Sequence, residues 1–193
     1  GRKLNKDGGK LYRDILTEIP VKQLKEEMNS KDLYTKCYAA RTICTKFDYK
    51  AGVSDSWLTR NKKNYYDWAE LSLKDKRKDC SDGYGFDKIN LAVRYIDIEN
   101  YTRAIELLKE ALKADDVGFT AAKYLGELYS DGSITPDGLK AKKYFEIGVN
   151  FKDPKSMINL AEMYISGNLI KEDLRKAFLL TNKAYKIDPD DPY

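Results

Sequence analysis

The residues able to do chemistry are few. The chain of 193 residues holds no histidine, three cysteines (Cys37, Cys44 and Cys80) and an acidic end, "DPDDPY", at 188–193. Without imidazole the commonest general base is missing, and with it the Ser–His and Cys–His nucleophile pairs. No serine has a lysine three residues on, which removes the Ser-x-x-Lys arrangement as well. Asp188, Asp190 and Asp191 stand close together, but Pro189 and Pro192 interrupt them. A calcium site needs oxygens converging from a loop of defined geometry, so these residues read as a polar tail. The cysteine spacings are not those of a zinc site. Their odd number leaves at least one thiol unpaired in a monomer. In an oxidising compartment one bridge could tie Cys80 to Cys37 or Cys44, with Cys37 and Cys80 as the candidate pair; otherwise all three are buried helical thiols. "DGYGFD" at 82–87 follows no strand pattern and lacks a third glycine or a P-loop lysine, so it reads as a linker. The sequence assigns no catalytic residue, metal site or cofactor.

Charge points away from nucleic acid. Charged residues make up 34% of the chain, 35 basic against 31 acidic for a net +4, and the two signs are interleaved almost everywhere. Nucleic-acid binders concentrate their positive charge on one face or run. No stretch approaches the roughly 20 apolar residues of a membrane span. The chain begins at Gly1, which suits a processed or trimmed protein.

The elements that would position any site are helical and repeated. Leu125, Gly126, Tyr129 and Gly132 recur 35 residues later as Leu160, Ala161, Tyr164 and Gly167. Ala141, Tyr144, Phe145 and Gly148 recur 36 residues later as Ala177, Leu180, Thr181 and Ala184. Shifting backwards gives Leu91, Ala92 and Tyr95, then Ala104, Leu107, Leu108 and Ala111. The spacings suit one face of a helix, and turn residues lie between them, so each unit is a helical hairpin. Small residues on facing helices let the backbones approach, which makes this spacing a packing signature. Gly132 and Gly167 suit left-handed helix ends, and Pro136, Asp137 and Gly138 suit a new start. The expected organisation is a lead-in at 1–10, capping helices at 11–30 with Pro20 at a helix start, and a divergent hairpin at 31–80 with a long link, "DYKAGVSDSWLTRN". Regular units follow at 86–116, 119–152 and 155–187, and the tail at 188–193.

At Ala122, Leu125, Gly126, Tyr129, Gly132, Asp137, Lys140, Ala141 and Tyr144 the chain resembles the Sel-one-like repeat (SLR) family, a relative of the tetratricopeptide repeat (TPR). The unit at 155–187 keeps most of that pattern, with Ala161 in place of the first glycine; the unit at 86–116 is more TPR-like. The resemblance implies an all-α fold, an α-solenoid of stacked antiparallel hairpins. It also implies a non-enzymatic adaptor, scaffold or inhibitor that binds another protein on its concave face. Family members in bacteria are often exported, so the expected compartment is periplasm or envelope if a leader was removed, and cytoplasm otherwise. With Leu125 and Tyr129 facing inward, Lys123 and Glu127 fall on the groove. Their counterparts are Ile158 and Glu162 in the next unit and Ile89 and Val93 in the preceding one, with Tyr124, Asn159 and Asn90 beside them. A bacterial immunity protein that neutralises a secreted toxin is one case within this class. The rival readings are a carboxylate-dependent hydrolase or cell-wall-active enzyme, which needs two acids from different units converging in a pocket, and a structural spacer of a larger protein.

Overall fold

The computed structural model describes residues 17–50, 52–74, 84–113 and 117–189. The chain is all-α, with no strand among the described residues, and divides into two compact units, Gly1–Asp82 and Gly83–Tyr193.

In the first unit α1 (Val21–Glu27), α2 (Leu33–Tyr49) and α3 (Asp55–Ser72) follow one another. Pro20 stands at the N-cap of α1, where its fixed φ and missing N–H cost nothing. Asp32 opens α2 by accepting from the Thr35 amide at 2.7 Å. The link between α2 and α3 is much shorter than its composition suggests. Ser54 accepts from the Trp57 amide and starts α3 at Asp55, so "DSWLTRN" is helix rather than loop. Tryptophan explains this extension: Trp57 lies 6.0 Å from Trp68 and 6.2 Å from Phe47, which rewards a helix that begins early. Cys37, Ala40, Ile43 and Cys44 form the buried face of α2, while Leu33 at its start is exposed. Cys37 and Cys44 are buried, and the Cys37 thiol donates to the Leu71 carbonyl at 3.1 Å. Cys80, the other partner of the expected bridge, lies outside the described residues.

The second unit contains α4 (Tyr84–Asp97), α5 (Tyr101–Ala111), α6 (Gly118–Ser130), α7 (Gly138–Asn150), α8 (Pro154–Ser166) and α9 (Leu174–Ile187). They pair as hairpins α4/α5, α6/α7 and α8/α9, with α5 against α6 and α7 against α8, the arrangement of an α-solenoid. The core is built from the repeated positions. Leu91, Ala92, Ala104, Leu108, Leu125, Ala141, Phe145, Leu160 and Ala177 are all buried. A charged pair joins them: Lys88 on α4 is buried and donates to Glu110 at 2.6 Å across the first hairpin.

Turn chemistry sets each connection. Gly132 and Gly167 adopt φ of 88° and 63°, the left-handed region that favours glycine. Asp137 and Asp173 each accept from the amide three residues on at 3.0 Å, and their own amides donate back to the Tyr129 and Tyr164 carbonyls. Lys140 and Lys176 complete the closure, paired to those aspartates and lying over the same tyrosine rings. The Lys140 ammonium holds the Asp137 carboxyl below its usual range, and the backbone and side chain of Lys176 do the same for Asp173. Between hairpins, Asp153 caps α8 through the Ser156 amide at 2.9 Å and the Ser156 hydroxyl at 2.5 Å. Asp153→Ala is expected to cost about 1–2 kcal/mol in urea unfolding, and Asp153→Asn less than half of that, because asparagine still caps. Equal losses in both would remove the capping role. The α7 backbone is closely approached at Gly138, where a Cβ would collide with the Leu169 backbone, and at Gly148, where it would collide with the Ser156 side chain.

Candidate functional site

The first helices of the second and third hairpins form the walls of an open cleft of ≈ 610 Å³. From α6 and the turn after it come Glu127, Ser130 and Asp131; from α8 come Asn159, Glu162, Met163 and Ser166; Asn168 and Leu169 close the end. The repeat explains why these side chains meet. Glu127 and Glu162 occupy the same repeat position, 35 residues apart, on helices stacked side by side. Leu125 and Leu160, two residues earlier in each helix, are buried in the core and fix the rotation.

The cleft is electrostatically one-sided. Its lining carries three carboxylates and no basic side chain among the described residues. Glu127 is half-buried, whereas Asp131 and Glu162 are exposed. Burial pushes the Glu127 carboxyl above the usual glutamate range, and the nearby charges of Asp131 and Asp153 add to this. Lys123 and the Asn159 amide, which donates to Glu127 Oε1 at 3.2 Å, act in the opposite direction without cancelling it. Beside them the Lys123 ammonium lies 4.8 Å from the Tyr124 ring centroid. Tyr124 is pushed up by burial and by the charge of Glu127. A surface of this kind offers hydrogen-bond acceptors and negative charge above an apolar floor of Met163 and Leu169, which suits a cationic or amide-bearing group of a ligand.

Of the nine residues expected on the groove, Glu127, Asn159 and Glu162 line the cleft, and Lys123 and Tyr124 act on it from the side. Ile158 is half-buried outside the lining. The cleft draws nothing from α4. Ile89 is 2% exposed and belongs to the core, Val93 is half-buried, and Asn90 is exposed away from the lining. Ile89 was expected at the surface from its register with Lys123, but its apolar side chain turns inward where lysine cannot without a partner. Sequence reasoning missed Ser130, Asp131 and Ser166. They lie three or four residues beyond Glu127 and Glu162, in the helix ends and turns, and continue the same stripe. Among the described residues no group of acids, histidines and cysteines could hold a metal, and no helix is long and apolar enough to cross a membrane.

Comparison with known proteins finds a repeat family over part of the chain. Residues 97–116, 120–149 and 154–188 match the Sel1 repeat. Among solved structures, the chain is similar to the crystal structure of a Sel1 repeat protein from Oxalobacter formigenes at 17% identity. That similarity covers 91% of this chain and 83% of the other, with a TM-score of 0.36. No curated protein matches the sequence.

Proposed function

We propose, from the premise that the chain carries three Sel1 repeats, that it is a non-enzymatic binding protein holding a protein partner in the cleft between α6 and α8. Sel1 repeats are protein–protein interaction modules and are typically non-enzymatic. The observation that carries the finer reading is the convergence of Glu127, Asn159 and Glu162 on one cleft, Glu127 half-buried and charged against the cost of burial. Bacterial immunity, in which the partner is a secreted toxin, is the particular case the repeat resemblance suggests. The test is affinity capture followed by titration of the purified partner. A one-to-one complex weakened about a hundredfold by Glu127→Lys with Glu162→Lys is expected, since reversing a half-buried charge and an exposed neighbour in one interface costs several kcal/mol. Unaltered affinity would remove the cleft from the interface.

A second reading is favoured by the same convergence. Two carboxylates from successive hairpins, one held above its usual range, are what a carboxylate-dependent hydrolase would need. The two readings part at Glu127→Gln. A hydrolase keeps its ligand and loses turnover of glycan or peptidoglycan substrates, whereas a binding protein shows no turnover at any stage and loses affinity.

A further inference from the structure

The turn-side end of the cleft carries negative charge that the chain leaves uncompensated. Elsewhere in the same unit Asp137, Glu146 and Asp173 are paired to lysines and Glu106 to Arg103. Glu127, Asp131 and Glu162 make no ion pair among the described residues. Lys123, one turn before Glu127, lies over the Tyr124 ring and outside the lining. The backbone adds to the same sign. Helix α6 ends at Ser130 and α8 at Ser166, and both ends open on the cleft. A helix C-terminus carries partial negative charge, which a basic residue in the last turn ordinarily offsets. In α4, α5 and α9 that residue is Arg94, Lys109 and Lys186, whereas α6 and α8 have none. Side chains and helix ends, two independent sources, thus ask for a cation at one position.

Geometry narrows which cation. No group of three acids among the described residues could hold a metal ion, so these carboxylates are spread wider than the coordination shell of one ion. A guanidinium is planar, broad and weakly hydrated, with five donors in a fixed fork, and it can face carboxylates on two helices at once; an ammonium is a compact point charge. The Asn159 amide takes Glu127 Oε1 and leaves Oε2 for a ligand. Met163 and Leu169 offer an apolar floor for the stem of a long basic side chain. We propose that the partner enters the end of the cleft between α6 and α8 with an arginine side chain, its guanidinium between Glu127 and Glu162 and its stem over Met163 and Leu169. This rests on the reading of the cleft as the binding surface and adds the group it recognises.

The test uses the full chain and a set of blocked synthetic peptides that differ only at the central residue: arginine, lysine, citrulline or glutamate. The side-chain amide signals of Asn159 and Asn168, read by NMR, report occupancy. The arginine peptide is expected to shift both saturably, with citrulline, which keeps the shape and loses the charge, about tenfold weaker or more and lysine about threefold weaker. Rising salt should shrink the preference. Glu127→Gln with Glu162→Gln is expected to weaken the arginine peptide about tenfold or more while leaving thermal unfolding cooperative. Should that variant unfold, Asp131→Asn with Glu162→Gln, both exposed, replaces it and is expected to cost about threefold or more. Equal binding of arginine with citrulline or with lysine, no shift, or indifference to these variants would overturn the proposal. So would the same saturable shifts on adding calcium chloride, which assigns the position to a metal ion. Titration of the partner with Glu127→Lys and Glu162→Lys separates the two claims. A complex weakened by those charges, with no preference for the arginine peptide, removes this inference alone, whereas an unaltered complex removes the cleft reading and this inference with it.

Discussion

Alanine in place of Gly126 is expected to lower the unfolding free energy by about 2 kcal/mol in urea titration, and Phe145→Leu in the same chain to restore about half of it. A Cβ at Gly126 would stand 2.6 Å from Phe145 Cε1 and 2.7 Å from Cδ1. The ring cannot swing clear, because Phe145 is 1% exposed and packed among Leu160, Ala161 and Met163. Two effects oppose each other. Overpacking a close-packed core costs up to about 3 kcal/mol, while glycine to alanine inside a helix returns about 1 kcal/mol, so the collision decides the sign. Phe145→Leu alone should cost about 1 kcal/mol, since part of the ring volume is retained. The double variant should therefore lie well below the sum of the single losses. The neighbouring repeats already make this exchange. Ala92 stands where Gly126 does and is matched by Leu108, and Ala161 is matched by Thr181. A residue larger on the first helix accompanies one smaller on the second. Simple additivity of the two losses would mean the ring is not what glycine accommodates.

Glu127→Gln is expected to stabilise the isolated protein and weaken its complex. The amide keeps an oxygen for Asn159, which donates to Oε1 at 3.2 Å, and removes the charge that burial opposes. The folded chain holds its proton more tightly than the unfolded one, because the carboxyl is pushed above its ordinary value. The contribution of Glu127 is then fully present below the ordinary glutamate pKa and lost as pH rises through the raised one. At neutral pH the glutamine variant should be more stable by less than about 1 kcal/mol, the open cleft limiting the gain, and the difference should vanish in acid. Partner affinity should fall about tenfold to a hundredfold, the worth of a hydrogen bond to a charged group. Thermal unfolding across pH 3–8, paired with titration of the partner, reads both. A variant less stable than the parent at every pH would make Glu127 a structural residue.

Both experiments depend on features that differ in how plainly the sequence displays them. The shifts of 34 to 37 residues, the alternation of leucine with glycine or alanine, and the Asp–Lys turns were sufficient to draw the hairpins of the second unit. Each of those signals is local: a cap, a left-handed glycine or a small residue needs only its own helix or the next to act. The start of α3 was not legible, because it depends on Trp57 finding Trp68 and Phe47, contacts made only once the hairpin closes. Nor was the burial of Lys88, which requires Glu110 on the facing helix. The candidate site divides in the same way. Periodicity placed Glu127, Asn159 and Glu162 on a common side of their helices. Whether that side meets solvent or core depends on a rotation of about 100° per residue that the pattern leaves open. Neighbouring helices settled it, turning Ile89 into the core while its counterpart Lys123 stayed beside the cleft. The sequence by itself determined the repeat, its turns and the absence of histidine chemistry. Only the tertiary structure decided which carboxylates share a cleft, because that depends on how the adjacent hairpins seat against each other.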